Sequence, residues 1–226
     1  MALPHVVSRP LITGERMDLE RFIARWDALP GLKNAELIEG VVYVPSPVSL
    51  DHGLTDGLVH CVLGYYALHT VGCRFCANGS WSMLGSMPQP DAALYLEPKY
   101  GGQSRVRGKY PDGAPELAVE ICLTSTEVDF GPKLALYGRA GVQEYVTVEL
   151  LPQPKIVWRR LVGASYTETP ADGEGIHRSQ VFPGLWLNEP AFFQSDSDAL
   201  LATARAGIES PEYVRFRERL ASALGK

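Results

Sequence analysis

The sequence predicts an α/β protein with a mixed central β-sheet flanked by helices, and three observations carry that prediction. From Ser49 to His69 the apolar residues Leu54, Leu58, Cys61, Val62, Tyr65 and Leu68 recur at spacings of three and four, the period of a helix. The run Glu116 to Leu123, ELAVEICL, is almost continuously apolar, as a central strand covered on both faces should be. The segments then follow in the order helix, hairpin, helix, strands, helix, strands. A sheet with helices packed on it is the economical way to bury such a series.

Each element has a local reason. Thr13 to Asp27 places Met17, Phe22, Ile23 and Trp26 compatibly with a short amphipathic helix. Ala35 to Val44 reads as a hairpin, AELI and VVYV, turning at Glu39-Gly40, where glycine takes a positive φ without steric cost. Pro45-Ser46-Pro47 ends it. Gly72 stops the long helix, and Arg74 to Leu84 and Asp91 to Leu96 read as strands. Between Glu97 and Pro115 lies a glycine-rich, basic loop with Lys99, Arg105, Arg107 and Lys109, expected to be mobile. Ser125 and Thr126 are good N-caps for a helix carrying Leu134, Leu136 and Tyr137 and closed by Gly141. Gln143 to Leu150 is a further buried strand, and Lys155 to Leu161 and Ser165 to Thr169 are antiparallel strands. Ser210-Pro211 opens a last helix to Leu224.

The chain has 226 residues, 46% hydrophobic, with a net charge of −5. That apolar share is too high for a disordered chain, and no apolar run approaches the roughly 18 residues of a membrane-spanning helix. The opening has no basic stretch followed by a long apolar one, so a cytoplasmic location is expected. The negative charge argues against a surface that coats nucleic acid everywhere and leaves room for a local basic patch. Four cysteines are too few for a disulfide scaffold. Cys73-x-x-Cys76, with His69 before it, has half the spacing of a zinc site, but no second pair follows; small buried strand residues are the better reading.

The chemistry is suggested by acids where strands should be apolar. Asp91 follows Pro90 at the start of a strand, and Glu120 lies inside AVEIC. A buried carboxylate is costly unless it is paired or binds a cation, and two on neighbouring strands repel. A divalent cation with a taste for hard oxygen ligands, Mg²⁺ or Mn²⁺, removes that repulsion. Lys133, one helix later, is placed to stabilise charge developing on a phosphoryl oxygen. Each has a plainer reading: Asp91 as a turn residue, and Lys133 as the i, i+4 partner of Asp129.

Pro90-Asp91, Glu120-x-Cys122, Asp129-x-x-x-Lys133-x-x-x-Tyr137 and GVQEY (Gly141 to Tyr145), preceded by AELIEG, PSP and His52, together resemble the Uma family of restriction-endonuclease-like proteins, in the PD-(D/E)XK nuclease superfamily. The resemblance runs from about Thr13 to Phe193. It implies a restriction-endonuclease-like domain over residues 1–193, carrying an N-terminal helix and hairpin, with 194–226 as a C-terminal helical tail. It implies metal-dependent cleavage of DNA phosphodiester bonds, with Asp91 and Glu120 as metal ligands, Lys133 in the lysine role and Glu36 as a further ligand or water-orienting base. The superfamily usually places its lysine two residues after the second acid, where this chain has Cys122; the family resembled moves it to the following helix. Where that family often has an acid after the hairpin glycine, this chain has Val41.

DNA contact is expected from His52 and from Lys99, Arg105, Arg107 and Lys109, a cationic loop directly after the Asp91 strand. The tail arginines, Arg205, Arg215, Arg217 and Arg219, suit either DNA or a partner subunit, which keeps a homodimer in view. The competing readings are a catalytically silent DNA-binding or protein-interaction domain on the same fold, and a hydrolase of small phosphorylated substrates.

Overall fold

Residues 117–122 form β7, a strand buried along its whole length, and it organises the molecule. The computed structural model describes residues 9–122 and 129–223, without the side chains of Arg107, Asp129 and Phe130. β7 lies in a six-stranded sheet with β3 (Cys73–Ala77), β4 (Ala92–Leu96), β8 (Glu144–Glu149), β9 (Lys155–Val162) and β10 (Ser165–Glu168), in the order β10-β9-β8-β7-β4-β3. Only β7 and β8 run parallel; the other neighbours are antiparallel. A parallel pair needs a crossover connection, and the helix α3 (Leu134–Ala140) lies on that crossover.

Side chains alternate across a strand, so β7 serves two cores. Leu117, Val119 and Ile121 face a core shared with α2 (Leu50–His69) and with the C-terminal helices α5 (Ser197–Glu209) and α6 (Pro211–Ser222), through Val59, Val62, Tyr66, Leu200, Phe216 and Leu220. Ala118 faces a second core with Ile38, Leu136, Tyr137 and Tyr145. Glu120 follows Ala118 on that side. A third cluster joins α1 (Leu19–Asp27) to the hairpin β1 (Glu36–Ile38) and β2 (Val41–Tyr43) through Phe22, Trp26, Leu37 and Val42. The expected mixed sheet flanked by helices is what the chain builds.

Several local expectations are corrected. The first helix is shorter than Thr13 to Asp27: Asp18 caps it at Arg21 N, and residues 14–17 instead bond the hairpin backbone at Gly40 and Val42. The strand expected over Arg74 to Leu84 ends at Ala77, because Asn78 turns into the left-handed region at φ 49°. The basic loop is ordered. It contains β5 (Arg105–Arg107) paired with β6 (Tyr110–Asp112), tied down by Ser82 N to Pro111 O and by the Glu116 carboxylate, which accepts from Leu96 N and Gln103 N, both at 2.9 Å. The capping residues Ser125 and Thr126 lie outside the described residues; from Asp129 the chain makes one π-helical turn to Lys133 and enters α3. The hairpin β11 (Ile176–Arg178) with β12 (Trp186–Asn188) and the short helix α4 (Glu189–Phe193) were not foreseen as elements, and α5 was covered only by the expectation of a helical C-terminal tail.

Candidate active site

Lys133 is the centre of the arrangement. The turn that carries it faces the sheet, and its side chain is only 5% exposed. Its Nζ lies 3.0 Å from Glu120 Oε1 and 3.0 Å from Glu36 Oε1. An ammonium removed from water must be paired closely to remain charged, and two carboxylates provide that. The side chain of Asp129, with which the plainer reading pairs Lys133, lies outside the described residues.

Glu120 is held by more than lysine. Tyr137, one turn after Lys133 and fully buried, donates its hydroxyl to Glu120 Oε1 at 2.8 Å. Burial and the neighbouring Glu120 charge hold the Tyr137 hydroxyl well above its ordinary pKa, so it remains a donor. Glu36 also accepts from Gln89 N at 2.6 Å, which fixes the hairpin to the segment leading into β4. Arg139 and Glu39 make a second, exposed tie between α3 and the same hairpin.

Asp91 stands at the foot of β4. Ala92 pairs with Val119, and continuing that register by one residue sets Asp91 opposite Glu120. Asp91 Oδ2 accepts from Ile121 N at 2.7 Å, and its Oδ1 lies 3.5 Å from His52 Nε2 in the first turn of α2. Two turns further along α2, His60 Nε2 lies 3.2 Å from the Asp91 carbonyl and 2.9 Å from Asp56 Oδ1. Burial raises the Asp56 carboxyl above its ordinary pKa, and the His60 imidazole opposes that shift. Asp56 and His60 were not singled out from sequence, and Tyr137 entered only as a helix residue and as part of the family motif. The i, i+4 and i+8 spacing of His52, Asp56 and His60 was the available signal.

The structure thus brings Glu36, Glu120 and Lys133 into direct contact and sets Asp91 and His52 beside them. The cationic residues of the β5–β6 region lie apart. Lys99 pairs with Glu97 at 3.2 Å, Lys109 with Asp27 at 2.7 Å, and Arg105 is exposed on the rim of an open groove with Gln103, Asp112 and Ala140; the side chain of Arg107 lies outside the described residues.

The donors suit a hard divalent cation. Glu36, Asp91 and Glu120 all offer carboxylate oxygen. Among the described residues no group of three or more His, Cys, Asp or Glu side chains is arranged to hold a metal ion, so a cation here would rest on no more than two of the acids. Magnesium commonly takes one or two protein carboxylates and completes its shell with water and substrate phosphate. Cys61, Cys73, Cys76 and Cys122 are free thiols, and among the described residues no helix is long and apolar enough to cross a membrane.

Comparison with known proteins bears on the fold and the family. A search of curated proteins found no match. Among solved structures, the chain is similar to one described as a putative nuclease belonging to DUF820 from Anabaena variabilis. The two share 14% identity with a TM-score of 0.61, covering 79% of this chain and 98% of that one. At that identity the likeness speaks for the fold. The family model described as "Uma2: Putative restriction endonuclease" matches residues 19–189, a span that contains Glu36, His52, Asp91, Glu120, Lys133 and Tyr137. The chain belongs to the Uma2 family.

Proposed function

We propose that this protein is a divalent-metal-dependent endonuclease that hydrolyses DNA phosphodiester bonds. The observation that carries the reading is the buried Lys133 ammonium within 3.0 Å of both Glu36 and Glu120, beside Asp91. Asp91 and Glu120 would hold the Mg²⁺ or Mn²⁺ ion, which when bound would lower the pKa of an attacking water and neutralise the leaving oxygen.

The remaining work falls to the chain itself. Lys133 offers positive charge that strengthens the binding of a phosphoryl group as negative charge builds on its oxygens. Glu36 holds Lys133 and, through Gln89 N, the segment before Asp91, so that the acid and the ammonium keep a fixed separation. Tyr137 orients Glu120 by donating its hydroxyl to it. His52 faces Asp91 from outside the sheet and is the group best placed to take or give a proton at the mouth of the site.

The test is cleavage of plasmid DNA with Mg²⁺ or Mn²⁺, combined with calorimetric titration of Mn²⁺ into the protein. Asp91→Asn keeps an oxygen for Ile121 N, so the fold should persist while cation affinity and cleavage fall together. Cation binding and cleavage both unaffected by Asp91→Asn would overturn the assignment. A parent protein that binds duplex DNA and never cleaves it would favour the silent DNA-binding reading.

A further inference from the structure

The outward face of α2 is the least expected surface of the molecule. The helix buries Thr55, Val59, Val62, Leu63 and Tyr66 against the sheet and the C-terminal helices. Its opposite side carries Leu50, Leu54, Cys61 and Leu68, of which the leucines are 76%, 61% and 88% exposed. Over 20 residues it has no Lys, Arg or Glu. Of the apolar positions that announce the helix in sequence, Val62 is buried and Leu54, Cys61 and Leu68 point to solvent. A helix that is apolar on both sides belongs inside something, and contiguous exposed apolar residues on an otherwise charged surface mark an interaction site.

We infer that α2 is a homodimer interface, in which the outward stripe of one copy packs antiparallel on the stripe of a second copy about a twofold axis. The pattern is self-complementary. Pairing residues whose numbers sum to 118 sets Leu50 against Leu68 of the other copy, Leu54 against Gly64, and Gly57 against Cys61. Leu54 thereby meets a glycine, and an added Cβ at Gly57, opposite Cys61, would meet nothing within 4 Å in the single chain, leaving its backbone open to close approach.

Charge selects the same occupant and direction. At about 100° per residue, Asp51 in the first turn and His69 in the last lie on the same flank of the stripe. A twofold antiparallel pair places Asp51 of each copy beside His69 of the other and opposes the helix dipoles; a parallel pair would align the dipoles and leave Asp51 and His69 at opposite ends. Val48 and Val71, both exposed, lie just beyond the two ends of the helix. His52, Asp56 and His60 lie on the other flank, so the same operation turns both candidate sites toward one side of the dimer.

The experiment is sedimentation or light scattering on the full chain. The expected mass is twice 24.7 kDa for the parent and 24.7 kDa for Leu54→Lys, which should stay folded because that side chain faces water in the single chain, while its melting temperature loses the dependence on protein concentration. Leu68→Lys serves as the second variant. Cys61 of the two copies would lie about four residues, or 6 Å, apart along the axis. A short bismaleimide should therefore link them, and the link should vanish in Cys61→Ser. Asp51→Lys or His69→Glu alone should reduce the dimer fraction, and the double variant should restore it. A parent of single-chain mass, a dimer that ignores both leucine variants and Cys61, or a charge swap that fails to restore pairing would each overturn the inference. The readout is mass and not cleavage, so it stands or falls separately from the nuclease reading.

Discussion

The Lys133 ammonium lies 3.0 Å from Glu36 Oε1, which joins the turn after the central strand to a hairpin near the other end of the sequence. Since the same nitrogen contacts Glu120, one buried cation ties three elements together. The group that would serve the phosphoryl chemistry therefore also holds the walls of the site in place.

Lys133→Met keeps the volume of the side chain and removes its charge. Glu36 and Glu120 would then face each other without a cation, and breaking a buried pair costs about 3–5 kcal/mol. Repulsion raises their folded-state pKa values, so the loss should be largest at alkaline pH and shrink as pH falls and they protonate. Urea unfolding at pH 5 and pH 8 reads this. Cleavage should fall much further than DNA affinity, because an interaction made mainly in the transition state acts on turnover. A variant as stable and as active as the parent would return Lys133 to an ordinary ion pair.

Much of the frame was legible in sequence because its elements announce themselves: the apolar run around Glu120, the three-and-four spacing of α2, and the Glu39-Gly40 turn. Glu120 stood out as an acid among apolar neighbours, yet Glu116 and Glu144 are as deeply buried. Strand pattern alone cannot separate them, because what differs is the partner: Glu116 and Glu144 accept from backbone N–H groups of distant loops, whereas Glu120 meets Lys133 and Tyr137. Glu36 entered through family resemblance alone, since no local pattern brings a hairpin residue to Lys133. The three-residue strands β11 and β12 are too short to carry a period and are specified by each other.

Glu116 explains why the basic region is ordered. Both of its oxygens accept backbone hydrogens, from Leu96 N and Gln103 N, so Glu116→Gln must set an amide N–H₂ against one of these donors. Leaving such a buried donor unsatisfied costs about 1–3 kcal/mol. Hydrogen exchange should accelerate first at Gln103 and in the β5–β6 hairpin. Exchange that rises evenly over the whole chain would mean that Glu116 does not anchor this segment specifically.

Glu144 gives a pH test with a definite sign. Burial raises its folded-state pKa above 4.5, with opposition from the Ser179 hydroxyl and Gln180 N. A carboxyl whose folded pKa is raised binds its proton more tightly in the folded state, so its contribution to stability is greatest at low pH. That contribution declines as pH rises from about 4.5 through the folded value. The stability gap between the parent and Glu144→Gln should narrow over this interval. Denaturant midpoints at a series of pH values measure it, and a gap that widens with pH contradicts the shift.

DNA affinity, in a protein of net charge −5, should depend on a local basic surface, and the ordered β5–β6 region supplies one. Lys99 and Lys109 are engaged with Glu97 and Asp27, but both lysines are well exposed, and pairs of that kind are worth only about 0–1 kcal/mol, so phosphate can compete for them. For duplex DNA, removing one cation that neutralises a phosphate should flatten the dependence of log affinity on log salt by about 0.9. Replacing Lys99, Arg105, Arg107 and Lys109 together should reduce the slope by up to four such steps and weaken binding to unrelated duplexes alike, while Mn²⁺ affinity at the acids is retained. Asp27→Ala, which frees Lys109 without touching DNA itself, should strengthen binding slightly and steepen the slope. Binding curves at several salt concentrations decide the matter. An unchanged slope in the quadruple variant would move the phosphate-binding role to Arg205, Arg215, Arg217 and Arg219 on the C-terminal helices.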